Sequence, residues 1–278
     1  MTCSIYHFYK SLAENKESLQ RIDVLDDFPF DRNLLSCKRV GQFPDLAIRI
    51  CKTDELFTGG ELVELKDGKS YSVSSFNSTI PTGTKEIAKV IKGENSEVYR
   101  QMIDAGDDIF SLPKREVFYL IRGKKKDKSK IVLVHGSFFE TIDVKDLIAK
   151  SFNQVLQESI ERSETVFDEK TKQILETLFS EQTSFSRVRN VENASVKLRF
   201  RIMTEVKAEG NILNSNKYPE ILDDTLNFVL PSRNDDEDQL NFDKMSVVFG
   251  DNWLSLFKKP FRIKHHFNGN FLVFQQSL

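Results

Sequence analysis

Two carboxylates and a lysine, close together on what read as neighbouring strands, are the residues of this chain best suited to chemistry. Asp45 opens the run Pro44-Asp45-Leu46-Ala47-Ile48-Arg49-Ile50-Cys51. After a short polar connection through Gly59-Gly60, Glu64 and Lys66 close the run Glu61-Leu62-Val63-Glu64-Leu65-Lys66. Side chains alternate across a strand, so Glu64 and Lys66 share a face, and Asp45 reaches that face from the adjacent strand of a β-hairpin. Two carboxylates suit a hard divalent cation, and a lysine beside them suits the orientation of a water nucleophile. A solvated i, i+2 charge pair on a surface hairpin uses the same residues. The apolar flanks Leu46, Ile48, Ile50, Leu62, Val63 and Leu65 favour a partly buried setting instead. Glu205-Val206-Lys207 repeats the acid-x-Lys spacing but has no Pro-Asp strand ahead of it. Glu61 falls on the opposite face from Glu64 and is expected to be exposed.

Pro-Asp followed by Glu-x-Lys resembles the PD-(D/E)xK nuclease superfamily, with Asp45, Glu64 and Lys66 at the matching positions and a similarity spanning about residues 40–85. The resemblance implies hydrolysis of phosphodiester bonds with Mg²⁺ as cofactor. Asp45 and Glu64 would hold the metal together with the backbone carbonyl of Leu65. Lys66 would position the attacking water and offset charge on the phosphate, keeping its own proton. A helix precedes the Asp strand in this superfamily and sometimes adds an acid. Glu14 and Glu17 are candidates, although solvated helix charges are the simpler reading.

The 278 residues suffice for one large domain, with 39% hydrophobic and 29% charged residues, ordinary for a globular chain. No stretch approaches the roughly eighteen apolar residues of a membrane span, and the N-terminus lacks a signal-peptide layout, so a cytoplasmic protein is expected. Three scattered cysteines and four histidines form no disulfide framework and no zinc spacing, so a bound metal would have oxygen ligands. The net charge of −2 counts mildly against a nonspecific DNA coat, is neutral toward a sequence-specific nuclease, and turns attention to local charge.

The elements that must position the hairpin are legible from periodicity. Ile5, Phe8, Tyr9 and Leu12 mark an amphipathic helix over 4–19. Asp67-Gly68-Lys69 signals a turn into a hydroxyl-rich loop whose Ser75, Asn77, Ser78 and Thr79 are candidate DNA contacts. Thr84 is a candidate cap for a helix through Ile91, with Ile87 and Val90 inward. Strands are expected at 115–122 and 130–138, joined by a basic tip in which Lys124 and Lys125 could track a phosphate backbone. The clearest helix spans 143–162, with Val144, Leu147, Ile148, Phe152, Val155, Leu156 and Ile160 on one stripe; another covers about 168–180 with Ile174, Leu175, Leu178 and Phe179. In Val196–Ile202 the alternation leaves Lys197, Arg199 and Arg201 on one wholly cationic face, a further candidate DNA surface. Asp235–Asp238 reads as a solvated acidic loop, and residues 258–274 as a basic and aromatic cluster.

The expected fold class is α/β (mixed α+β): a central mixed sheet containing strands near 45–51, 61–66, 115–122 and 130–138, flanked by helices in a restriction-endonuclease-like core. The expected organisation is a single domain over 1–278. Its catalytic core would occupy about 1–165 and a DNA-binding and dimerisation region about 166–278. With the resemblance, the functional expectation is a type II restriction endonuclease acting on double-stranded DNA as a homodimer, paired with a methyltransferase of the same target. A structure-specific repair or junction nuclease and a non-catalytic DNA-binding module are the alternatives.

Overall fold

The computed structural model describes residues 4–38, 42–50, 59–73, 76–77, 81–140, 144–162, 168–180, 203–204 and 207–278. The chain divides into two compact units. The larger comprises Met1–Ser75, Pro81–Glu140 and Glu205–Leu278; the smaller comprises Phe76–Ile80 and Thr141–Thr204.

The larger unit is built on a mixed sheet with helices packed on it. Strands β1 (Leu35–Lys38), β2 (Leu46–Ile48) and β3 (Leu62–Gly68) form an antiparallel meander. The two-residue strand β4 (Phe76–Asn77) belongs to the smaller unit. In the larger unit, β5 (Thr84–Glu86) leads into two short helices, α3 (Ile87–Val90) and α4 (Glu97–Asp104). The chain then returns as β6 (Lys114–Lys125), parallel to β3, and turns back as β7 (Lys128–His135). Past β8 (Met203–Thr204), which lies in the smaller unit, β9 (Thr225–Pro231) pairs parallel with β7. The hairpin β10 (Phe261–His265) and β11 (Gly269–Ser277) completes the order β1-β2-β3-β6-β7-β9-β11-β10, with β5 on β6.

One face of this sheet carries the main core. The helices α1 (Ile5–Glu14) and α2 (Lys16–Arg21) lay Ile5, Phe8, Tyr9, Leu12 and Leu19 against Val63, Leu65, Phe118, Leu120, Leu133 and Phe228. Ser4 Oγ caps α1 by accepting from His7 N at 3.4 Å. The periodicity over 4–19 predicts a single helix, but the chain breaks at Asn15, whose side chain and backbone N–H both turn back to the carbonyls of the last turn. Arg122, wholly buried on β6, ties α2 to the sheet. It pairs with Asp67 and donates to the carbonyls of Leu19, Ile22 and Asp23.

On the sheet's other face, Val98 and Met102 of α4 are buried, with α4 against β1. The buried Arg115 is held there by Asp107 and the carbonyl of Ile109. Residues 81–83 press on the end of β7 so closely that a Cβ on Gly136 would overlap the Thr82 carbonyl, which is why only glycine fits there. Gly59 and Gly60, at φ 73° and 91°, turn the chain into β3 through conformations that other residues avoid.

Several sequence expectations are corrected. Asp235–Asp238 is the first turn of a helix, α7 (Asp235–Phe249). Asn234 caps it by accepting from Glu237 N at 2.8 Å, and four acids in that turn complement the helix dipole. Thr84 begins a strand rather than capping a helix, because β6 supplies backbone partners to 84–86; the helix that follows has Glu86 at its cap without a side-chain bond. The strand expected over 130–138 ends at His135, and residues 136–138 form a 3₁₀ turn. The C-terminal strands β9, β10 and β11 lie in the central sheet, so the chain does not divide at 165/166.

In the smaller unit, β4 and β8 pair antiparallel, and the helices α5 (Val144–Arg162) and α6 (Glu169–Ser180) pack on each other near the expected bounds. Val155 and Ile174, expected on inward stripes, are exposed.

Candidate active site

The hairpin of β2 and β3 brings the acidic pair together through backbone register. Leu46 faces Val63 and Ala47 faces Leu62; Asp45 immediately precedes β2, and its carboxylate accepts from Leu65 N on β3 and feels the charges of Glu64 and Lys66. Alternation along β3 puts Glu64 and Lys66 on one face, and the Asp45 carboxylate, held at Leu65 N, lies close enough for both their charges to act on it. Val63 and Leu65 point the other way into the core, which anchors the strand while leaving Glu64 and Lys66 on the site side.

Each polar group there has an identified restraint. Asp45 is buried, preceded by a cis Phe43–Pro44 peptide, and its Oδ2 accepts from Leu65 N at 2.8 Å. Lys66 Nζ donates to Glu64 Oε1 at 2.9 Å, both side chains being mostly buried at 16% and 12% exposure. Glu64 Oε2 is buried without a hydrogen-bond partner. A buried unpartnered carboxylate oxygen is costly, which makes it a natural point for a cation. Burial and the neighbouring Glu64 charge push the Asp45 carboxyl up to about 7, against the pull of the Leu65 N–H and Lys66.

Three further groups complete the surroundings. Tyr119, paired in register with Glu64 on β6, is fully buried, and burial together with the Glu64 charge raises its phenol above the ordinary range. Lys85 on β5 has its ammonium 5.0 Å from the centre of the Phe43 ring. Burial lowers its pKa, against the opposing pull of Glu64 and Glu140. Glu140 Oε2 accepts from Gly83 N at 2.8 Å. Sequence spacing gave no hint of Lys85, Tyr119 or Glu140, which reach the site only through the pairing of β3 and β5 with β6 and the fold of 81–83 onto the end of β7.

The arrangement can hold a hard cation between two carboxylates and set a lysine beside it. Among the described residues no three His, Cys, Asp or Glu side chains converge on one metal position, so a backbone carbonyl, such as that of Leu65, would be needed as a further ligand.

The other expected site residues fare differently. Lys124 Nζ donates to Ile22 O at 2.7 Å and is tied into the fold, whereas Lys125 is exposed beside the Tyr71 ring. Asn77 lies in β4, its backbone opposite Met203. Ser75, Ser78, Thr79, Lys197, Arg199 and Arg201, and Glu205 of the rival motif, lie outside the described residues. Glu61 is on the opposite face from Glu64, as alternation requires, but it is not exposed. Its Oε1 accepts from Ile5 N at 3.1 Å at the start of α1, its Oε2 is buried and unpartnered, and burial pushes its carboxyl up to about 7. Glu14 and Glu17 are exposed and pair with Lys10 and Arg21, as solvated helix charges do.

What the fold and the site define together is a mixed α/β protein with a cross-strand acidic pair and an adjoining lysine. Comparison of the chain with protein families, with curated proteins and with solved structures finds no match. No helix among the described residues is long and apolar enough to cross a membrane.

Proposed function

We propose that the protein is a Mg²⁺-dependent endonuclease of the PD-(D/E)xK kind, a type II restriction endonuclease that hydrolyses double-stranded DNA at a short specific sequence. The observation that carries this reading is the closeness of the Asp45 and Glu64 carboxylates, Asp45 held at Leu65 N, with Lys66 on one oxygen of Glu64 and its other oxygen buried and unpartnered. Two buried carboxylates, one raised to about 7 by the other's charge and by burial, call for a compensating cation. The donors are all hard oxygens, which fits Mg²⁺.

Asp45 and Glu64 would hold the ion, with the Leu65 carbonyl as a third donor. When bound, Mg²⁺ supplies charge neutralisation at the phosphate and makes water a better nucleophile near neutral pH. The protein's own residues orient and shield. The Leu65 N–H fixes one oxygen of Asp45, so the carboxylate cannot swing away. Glu64 restrains the Lys66 ammonium at 2.9 Å, where it can orient the attacking water and offset negative charge growing on the phosphate. Tyr119, buried on β6 in register with Glu64, would shield that flank of the site from water and strengthen these interactions. A homodimer would present two such sites to the two strands, and a methyltransferase acting on the same target would protect the DNA of the cytoplasm in which it works.

Incubation with long unmethylated DNA and Mg²⁺ tests the reading. Discrete fragments support it. Cleavage confined to branched substrates makes the protein a repair or junction nuclease, and binding without cleavage makes it a DNA-binding module. Neither binding nor cleavage overturns it.

A further inference from the structure

His135 and Ser137, at the end of β7, form a pair that the hairpin chemistry does not use. Ser137 Oγ lies 2.7 Å from His135 Nδ1, and the Ser137 backbone N–H donates to the same nitrogen at 3.3 Å. A backbone N–H can only donate, so Nδ1 is the unprotonated nitrogen of the ring and the serine hydroxyl turns its proton toward it. The histidine is 5% exposed and its ring is closely packed. Phe118 meets it near edge-on with ring centres 5.1 Å apart, and a Cβ on Gly83 would come within 3.0 Å of His135 Cε1. Burial, and then the charge of Arg233, lower its pKa to about 4 against the pull of the Gly83 backbone. The ring is therefore neutral near pH 7 and able to take a proton.

Ser137 also lines a cavity of about 240 Å³ at the carboxyl ends of the parallel strands β7 and β9, together with Ser232, Arg233, Asn268, Asn270 and Phe271. Open sheets commonly hold their ligands at such ends. Two of the lining groups are committed: Ser232 Oγ donates to Asp238, and Asn268 Nδ2 to the Phe138 carbonyl. Arg233 is exposed, and its guanidinium stands 3.7 Å from Glu237, too far for a hydrogen bond, which leaves its donors for a negatively charged oxygen.

We infer that Ser137 is a nucleophile, with His135 as its base, for acyl transfer from small carboxylic esters that enter this cavity, an activity separate from the nuclease reading. The volume falls below the roughly 300–1,000 Å³ of pockets for drug-sized ligands, which limits the acyl group to a few carbons. Ser137 Oγ bonds to the carbonyl carbon as its proton passes to His135 Nδ1. The C–O bond to the leaving alcohol then breaks, and the alcohol takes that proton. Water attacks the acyl-serine, its proton passing to the same nitrogen, and Ser137 regains it as the acid departs. The Arg233 guanidinium offsets the negative charge that each attack places on the carbonyl oxygen.

Two probes test the full chain in the presence of a chelator, which silences Mg²⁺-dependent cleavage. One is p-nitrophenyl acetate, followed by release of p-nitrophenol; the other is diisopropyl fluorophosphate, followed by peptide mass spectrometry. With the second, Oγ bonds to phosphorus and fluoride leaves, so a stable adduct marks the nucleophile. The adduct is expected on Ser137, and Ser137→Ala should lose both the adduct and ester hydrolysis above the buffer rate. His135→Asn keeps an acceptor for the Ser137 N–H but supplies no base. It should lower hydrolysis about a hundredfold, the lower end of what a positioned base contributes, while the protein still unfolds cooperatively in urea. No adduct on Ser137, or hydrolysis that survives Ser137→Ala, overturns the inference and leaves His135 as a polar cap of the 136–138 turn. A folded His135→Asn with the wild-type rate overturns it too. Should that variant not fold, labelling of the wild type and the Ser137→Ala rate still decide. The nuclease reading stands or falls separately, by DNA cleavage in Mg²⁺.

Discussion

Replacing Glu61 by glutamine should make the protein more stable above neutral pH and leave it unchanged in acid. The carboxyl sits at the start of α1, where Oε1 accepts the Ile5 N–H at 3.1 Å and Oε2 is buried without a partner. Burial is the main cause of its raised pKa, with Glu116 adding repulsion, while the backbone hydrogen bonds and Lys244 pull the other way. A carboxyl that titrates near 4.5 when unfolded and near 7 when folded is easier to ionise in the unfolded chain. Its contribution to stability is therefore whole below about pH 4.5, falls as the pH rises to about 7, and is constant beyond. The full penalty of the ionised form is about 3 kcal/mol, taking ~1.4 kcal/mol for each tenfold change in acidity. Glutamine keeps an oxygen for the Ile5 N–H and carries no charge. Urea unfolding of wild type and Glu61→Gln across pH 5 to 9 should give curves that converge toward the acid end. By about pH 8 they should diverge by roughly 2–3 kcal/mol in favour of the variant. A stability difference that does not change with pH, or a variant less stable than wild type at pH 8, would refute the reasoning.

At the proposed site, Asp45→Ala and Glu64→Ala should each abolish Mg²⁺-dependent cleavage while DNA binding persists; a residual rate above about a tenth of wild type, a loss under ~1.4 kcal/mol, removes the metal-site assignment. Lys66→Ala should cut the single-turnover rate at saturating Mg²⁺ without weakening Mg²⁺ binding measured by calorimetry. Lys66→Arg should not restore that rate, because the planar guanidinium cannot take the ammonium's compact position. Asn234→Ala should lower stability by about 1 kcal/mol through loss of the α7 cap, seen as a shifted urea midpoint with unchanged slope; no shift would mean that the Glu237 N–H is satisfied by solvent at no cost.

The chemistry-bearing hairpin was legible because its signals are local. A Gly-Gly connection between two apolar runs specifies a turn, and the two-residue alternation of a strand puts Glu64 and Lys66 on one face before any packing is known. The same locality made the helices at 144–162 and 169–180, and the strands that became β6 and β7, readable from periodicity. Tertiary structure decided what lies on each face. Alternation correctly turned Glu61 away from Glu64, but only the docking of α1 onto β3 made that position a partly buried one. The acidic run 235–238 reads as solvated loop on charge alone; Asn234 and the helix behind it turn those charges into a favourable first turn. Lys85, Tyr119 and Glu140 lie 19 to 74 residues beyond Lys66 in the chain and reach the acidic pair through pairings with β6 and through the contact of residues 81–83 with the end of β7. Strand order across a sheet is set by the summed burial of many distant apolar residues, a quantity that no window of sequence contains.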